Sequence, residues 1–239
     1  MPQRSAAGTG AAPARRRVRD PDAMRRRIIE AATAEFATHG DGGARVDRIS
    51  SAAATVDRML YYYFGSKEGV FQAVLENAYE RLGAAEQQLD LDQADPVQGM
   101  RALVAFTWNY YREHPEFIRL LNSENLHKGE HLRQSQRLQS LSFPLLSILA
   151  RLLRRGAASG AFRKRLDPVT VYLTIASLAY FYLSNRYTLS SFLGADLMDD
   201  ARQRRWLRHI TDLVLAHIAA EPGARRKPAT TRARTGPAQ

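Results

Sequence analysis

Two short stretches carry side chains able to do chemistry. Arg58 to Phe71 reads RMLYYYFGSKEGVF, four aromatic rings in a row and then a lysine. One face of a helix cannot bury three consecutive tyrosines, so at least one ring must meet water or a partner. A tyrosine hydroxyl donates to a phosphate oxygen, while its ring packs on a sugar or a thymine methyl. The second stretch, His127-Lys128-Gly129-Glu130-His131, has the H-x-x-E-H spacing of certain zinc peptidases. Two histidines four apart on a helix hold a metal, with the glutamate as base. Here Gly129 interrupts the segment, no downstream glutamate completes the set, and no metal is expected.

Composition narrows the partners. With no cysteine, the chain has no disulfide, thiolate metal site or cysteine nucleophile, which fits a reducing cytoplasm. No phosphate loop, dinucleotide fingerprint or nucleophile elbow is present, and neither an enzyme nor a cofactor is expected. The N-terminus lacks the apolar run of a secretory signal. The most hydrophobic stretch, Val169 to Leu183, spans fifteen residues, short of the roughly 20 that cross a bilayer, so no membrane association is expected. The net charge of +11 is concentrated at the ends. Residues 1–19 hold five arginines and no acid, residues 221–239 five basic residues and one acid, so the ends carry +9 of it. Both ends are rich in Ala, Gly, Pro and Thr and read as disordered basic segments suited to a polyanion.

The elements between them are helical. Asp20-Pro21, Asp95-Pro96 and Asp167-Pro168 each join an N-cap to a proline at the first helical position. Met24, Ile28, Ala32 and Phe36 recur at helical period until His39-Gly40 stops the run. Val46 to Ala53 and Asp57 to Phe64 are two short helices with a tight connection, and Ser66 caps a longer one bearing Phe71, Leu75, Ala78 and Leu82. Such a pair is a helix-turn-helix, whose second member enters the DNA major groove. No hairpin-bounded strand pattern appears. The prediction is an all-α chain of about nine helices: a basic arm at 1–19, a helix-turn-helix domain at 20–66, a helical domain at 67–220 opened by a connecting helix over 67–90, and a basic tail at 221–239.

The stretch GGARVDRISSAAATVDRMLYYYFGSKEGVFQAVLENAY resembles the DNA-binding domain of the TetR (tetracycline-repressor) family of bacterial regulators, most specifically at LYYYFGSKEGVF. HPEFIRLLNSENLHKGEHL and LAYFYLSNRYTLSSFLGADL are similar, less specifically, to one branch of the family's ligand-binding and dimerisation domain. The resemblance implies a repressor that binds a palindromic operator on double-stranded DNA as a homodimer and is released by a small-molecule effector. It places Tyr61, Tyr62 and Tyr63 on DNA backbone or bases. Lys67 opens the next helix against a phosphate, Arg58 and Met59 reach base edges, and Arg45 and Arg48 hold backbone. Leu60 and Phe64, four apart, take the core side.

The turn departs from the family. Ala54 stands where glycine is usual, and Val56 where Ser, Thr or Asn caps the recognition helix, so Asp57 either caps one residue late or leaves a frayed start. Asp47 and Asp57 also bring negative charge to the proposed face. For the effector cavity the candidates are Trp108, Tyr111, His114, Phe117, Leu121, Asn125 and Phe143. The dimer helices are read at 169–186 and 202–219, the second with Trp206, Ile210, Leu213, Val214 and His217 on one side. A four-helix bundle of these sets two recognition helices about 34 Å apart. Two other readings fit the same residues: a helical metal-dependent hydrolase at His127 and His131, and a dimer that uses the tyrosine face on protein.

Overall fold

The structure is a computed structural model whose described residues are 20–89, 91, 95–140 and 144–220. Both basic ends and Phe143 lie outside them. Among the described residues there are twelve helices and no strand. The first four are α1 (Pro21–Gly43), α2 (Val46–Ala52), α3 (Asp57–Phe64) and α4 (Lys67–Gln87). Next come α5 (Pro96–Glu113), α6 (Pro115–Leu126), α7 (Glu130–Gln134) and α8 (Gln136–Ser140). The last four are α9 (Pro144–Ser159), α10 (Pro168–Ser184), α11 (Arg186–Leu193) and α12 (Asp200–Ile218). The excess over nine comes from short segments such as α7, α8 and α11, too brief to show a period in sequence.

The Asp-Pro pairs act as the sequence predicts. Asp20 Oδ1 accepts from the N–H groups of Asp22 and Ala23 at 3.0 and 3.2 Å, starting α1. Asp95 does the same for α5 at 2.9 and 3.2 Å, and Asp167 for α10 at 3.3 and 2.9 Å. Gly40 breaks the end of α1 by adopting φ +66°.

Two cores form. Ile28 and Phe36 of α1, Ile49 of α2, Leu60 of α3 and Phe71 and Val74 of α4 are buried together, with Leu120 of α6 reaching in from the other domain. The larger core gathers Met100, Leu103 and Trp108 of α5, Leu149 and Leu152 of α9, Ile175 of α10 and Ile210 and Val214 of α12. Helix α4 belongs to both. Val70 to Leu75 supply the first core, while Tyr79, Leu82 and Ala85, two turns further on, pack against the second. One continuous helix therefore links the helix-turn-helix to the interior of the large domain.

The face expected on α12 divides. Ile210 and Val214 are buried within the chain, whereas Leu213 and His217 are exposed. The reason is angular: Leu213 and His217 lie about 100° round the helix from Val214 and Ile218. Helix α10 likewise buries Val171, Ile175 and Ala179 and leaves Val169, Leu173 and Phe181 exposed.

Candidate nucleic-acid interface and internal cavity

Between α2 and α3 the chain turns on Ala54, a non-glycine residue at φ +50°. The turn closes through Ala53 N–H to Ile49 O at 2.9 Å and Thr55 N–H to Ser50 O at 2.9 Å. Val56 is the N-cap of α3 and offers no side-chain bond to it. Asp57 does not cap late. Its carboxylate instead accepts from the Ser50 hydroxyl, tying the first turn of α3 to α2. That replaces the expected alternatives: the helix start is held from outside and not by its own cap.

Helix α3 buries Leu60 and half-buries Phe64, whose ring lies 5.3 Å from the Arg25 guanidinium. Tyr61 and Tyr62 project outward, 52% and 76% exposed, and Arg58 is exposed beside them. Tyr63 does not fan out with the other two. It is half-buried, packs on the N-terminal core and sits edge-on to Tyr62 at 5.1 Å. With Met59, also half-buried, it walls a concavity of about 740 Å³ shared with Met24 and Arg27 of α1. The recognition helix is seated close on α4: a Cβ on Gly69 would fall 2.0 Å from the Phe64 carbonyl oxygen.

The basic residues around this face are partly engaged. Arg45 pairs with Asp47 at 2.9 Å and holds that carboxyl below its usual range. Arg48 donates to Glu35 Oε1 and to Gly43 O, each at 2.7 Å, and so clamps α2 to the end of α1. Burial works to raise the Glu35 carboxyl, but hydrogen bonds from Arg48 and the Arg45 N–H outweigh it and leave it lowered. Lys67 turns back and donates to the main-chain oxygen of Asp41, with Asp41 Oδ1 3.7 Å away.

The two histidines of HKGEH do not share a helix. Lys128 and Gly129 both take positive φ, +58° and +71°, and α7 begins only at Glu130. His131 Nδ1 lies 2.7 Å from buried Glu124, whose other oxygen accepts from Leu132 N–H at 3.0 Å. His127 Nδ1 contacts Ser123 O at 2.9 Å, and its Nε2 stands 3.6 Å from Asp41. Glu130 accepts from Gln134 at 3.3 Å on the exposed side. The motif thus fastens α6 and α7 to the end of α1, and no group of three metal-ligating side chains occurs among the described residues.

The large domain forms a cavity of about 350 Å³ lined by residues of α4 to α10, open on one side. Of the residues expected to line it, Tyr111, Phe117 and Leu121 do. Trp108 does not: about 60° round α5 from Tyr111, it is buried in the core and packs edge-on to Tyr182 of α10 at 5.3 Å. His114 sits at the α5–α6 corner, 3.1 Å from Glu116, and Asn125 is exposed and bonds to Leu121 O at 2.9 Å. Sequence reading missed Tyr79, Glu86 and Tyr172, which line it beside aliphatic residues such as Leu82 and Leu145. A signal existed: the apolar stripe Phe71, Leu75, Ala78, Leu82 runs on at the same period into Glu86. Burial pushes the Glu86 carboxyl up to about 7 and the Tyr79 hydroxyl up to about 12. Tyr111 and Tyr172 are also raised by burial.

A helix-turn-helix head joined by one unbroken helix to a helical domain with an internal cavity defines a two-domain DNA-binding regulator. Residues 28–74 match the bacterial regulatory proteins of the tetR family, and residues 96–214 match the tetracyclin repressor-like C-terminal domain. The chain belongs to the TetR family of bacterial transcriptional regulators. It is 48% identical over 199 residues to the HTH-type transcriptional repressor NicS of Pseudomonas putida, covering 83% of this chain and 94% of that protein. Its fold is also that of the ketosteroid transcriptional regulator KstR2 of Mycobacterium tuberculosis, with TM-score 0.60 at 20% identity over 82% of this chain and 95% of that one. The fatty acid degradation regulator FadR from Bacillus halodurans has TM-score 0.58 at 21% identity over 85% and 97% of the two chains. No described helix is long and apolar enough to cross a membrane.

Proposed function

We propose that this protein is a cytoplasmic repressor that binds a palindromic operator as a homodimer and is released when a small molecule enters the cavity along α4. The observation that carries the reading is the outward pair Tyr61 and Tyr62 with Arg58 on a helix fastened directly to α4. In this reading residues 20–66 make the DNA-binding unit and residues 67–220 the effector and dimerisation unit. Tyr61 and Tyr62 meet the phosphate backbone, Arg58 and Met59 reach base edges, Tyr63 sets the angle of α3, Arg48 holds α2 to α1, and Arg45 and Lys67 add backbone contacts. The similarity to a protein named a repressor supports repression over activation.

Dimerisation is supported by the exposed apolar residues Val169, Leu173 and Phe181, spaced along one face of α10, with Leu213 exposed on α12. Those helices from two copies make an isologous interface. An effector releases DNA only by binding the DNA-incompetent arrangement more tightly, since equal affinity for both shifts nothing. Helix α4, rooted in both cores, carries the shift. Footprinting of purified protein on its own promoter region tests the whole reading. A protected inverted repeat in the presence of excess competitor DNA is expected; protection that competitor abolishes refutes it.

A further inference from the structure

The cavity has a wall chemistry that selects its occupant. Tyr79, Tyr111, Phe117 and Tyr172 line it, and a single carboxylate, Glu86, stands among them. Glu86 is only 6% exposed. Its Oε2 accepts one long hydrogen bond, 3.3 Å from Leu145 N–H. No Lys, Arg or His lines the cavity among the described residues. A carboxylate withdrawn from water without a cation either takes a proton or holds its place for a positive ligand. An anionic ligand would bring a second negative charge and find no cation. A purely apolar ligand would leave the carboxyl buried and unmatched. A positive nitrogen satisfies the carboxylate, and any tyrosine ring it lies over adds cation–π attraction.

We propose that the effector of this site is an organic monocation, a protonated amine or amidine carried on an apolar, preferably aromatic, body. The nitrogen lies against Glu86, and the body lies among Leu82, Phe117, Leu121 and Leu145. The inference rests on the reading of this cavity as the effector site, but the charge selection stands on the wall itself. The carboxyl's raised titration, centred at about 7, means that a cation competes with a proton there. Binding therefore strengthens as pH rises through neutrality, provided the amine remains protonated.

Three near-isosteric probes test the proposal on the full chain: 1-naphthylmethylamine, 1-naphthalenemethanol and 1-naphthoate, titrated calorimetrically at neutral pH. The amine is expected to bind roughly tenfold tighter than the alcohol, and the naphthoate weakest of all. Glu86→Gln removes that preference and leaves alcohol affinity within about twofold. Tyr79→Leu weakens the amine more than the alcohol and serves as a second variant whose folding does not depend on the carboxyl. Equal affinities, tighter naphthoate, no amine binding at about 1 mM, or a preference that survives Glu86→Gln each overturns it. A parallel gel shift separates the two readings. Amine binding at Glu86 without DNA release leaves the cation site standing and sinks the effector role; release by a neutral or anionic occupant does the reverse.

Discussion

The ammonium of Lys67 is bonded to the main-chain oxygen of Asp41, and the Asp41 carboxylate lies between that lysine and His127, at 3.7 and 3.6 Å. Asp41 N–H also donates to Ser123 Oγ at 3.3 Å. One aspartate thus joins the end of α1, the start of α4 and the end of α6. A phosphate drawn to Lys67 competes with the Asp41 carboxylate for its charge, so the aspartate is expected to oppose DNA binding while it ties the head to the large domain. Asp41→Asn is expected to strengthen DNA binding by about 0.5–1 kcal/mol, and Lys67→Ala to weaken it by about 1–3 kcal/mol. Fluorescence anisotropy at two salt concentrations reads both. Unchanged or weaker binding by Asp41→Asn contradicts the opposition.

Tyr62 and Tyr63 are adjacent in sequence and opposite in consequence. Tyr62, at 76% exposure, is free to meet a partner, and Tyr62→Ala should lower operator affinity by about 1–3 kcal/mol with the melting temperature unchanged. Tyr63 packs on the N-terminal core, so Tyr63→Ala should cost about 1–2 kcal/mol of stability as well. Paired melting and gel-shift measurements separate the two effects. A Tyr62→Ala protein with full affinity would remove that ring from the interface.

The turn residue Ala54 holds φ +50°, where a Cβ is strained by roughly 1–2 kcal/mol. Glycine relieves the strain but makes the unfolded chain more flexible, returning about 0.4–1 kcal/mol. The balance favours Ala54→Gly by about 0.5–1 kcal/mol, read as a rise in melting temperature. Gly69 is the opposite case. Gly69→Ala drives a methyl into the Phe64 carbonyl and should destabilise by about 1–3 kcal/mol, shifting α3 on α4. A Gly69→Ala protein of unaltered stability and DNA affinity would mean that the two helices move apart without penalty.

Local signals made the frame legible. Asp before Pro caps a helix wherever it stands, and Leu60 and Phe64 betray the inner face of α3 by their spacing alone. What escaped notice depends on contacts between distant residues. Nothing near Arg48 announces that Glu35 will occupy it, nor does anything near Lys67 point to Asp41, because both partners come from α1. The cavity was half legible for the same reason. Tyr111, Phe117 and Leu121 lie in the stretch that suggested it, whereas Tyr172 arrives from α10. Trp108 was misplaced because aromatic content carries no information about which distant ring, here Tyr182, it packs against.

Glu86 gives a test that needs no ligand. Its carboxyl titrates near 7 in the folded chain, against 4.5 for the ordinary group, because burial disfavours the ionised form. The folded state therefore binds more proton than the unfolded state between those values. By linkage, stability falls as pH rises through that window and levels off above it. The shift corresponds to a loss on the order of 3 kcal/mol. Glu86→Gln keeps the shape and removes the titration. The variant and the parent should melt alike near pH 4.5 and diverge up to about pH 8, the variant being the more stable. Calorimetric melting across that range decides it, and parallel curves would mean that the carboxyl reaches water or a cation in the native protein.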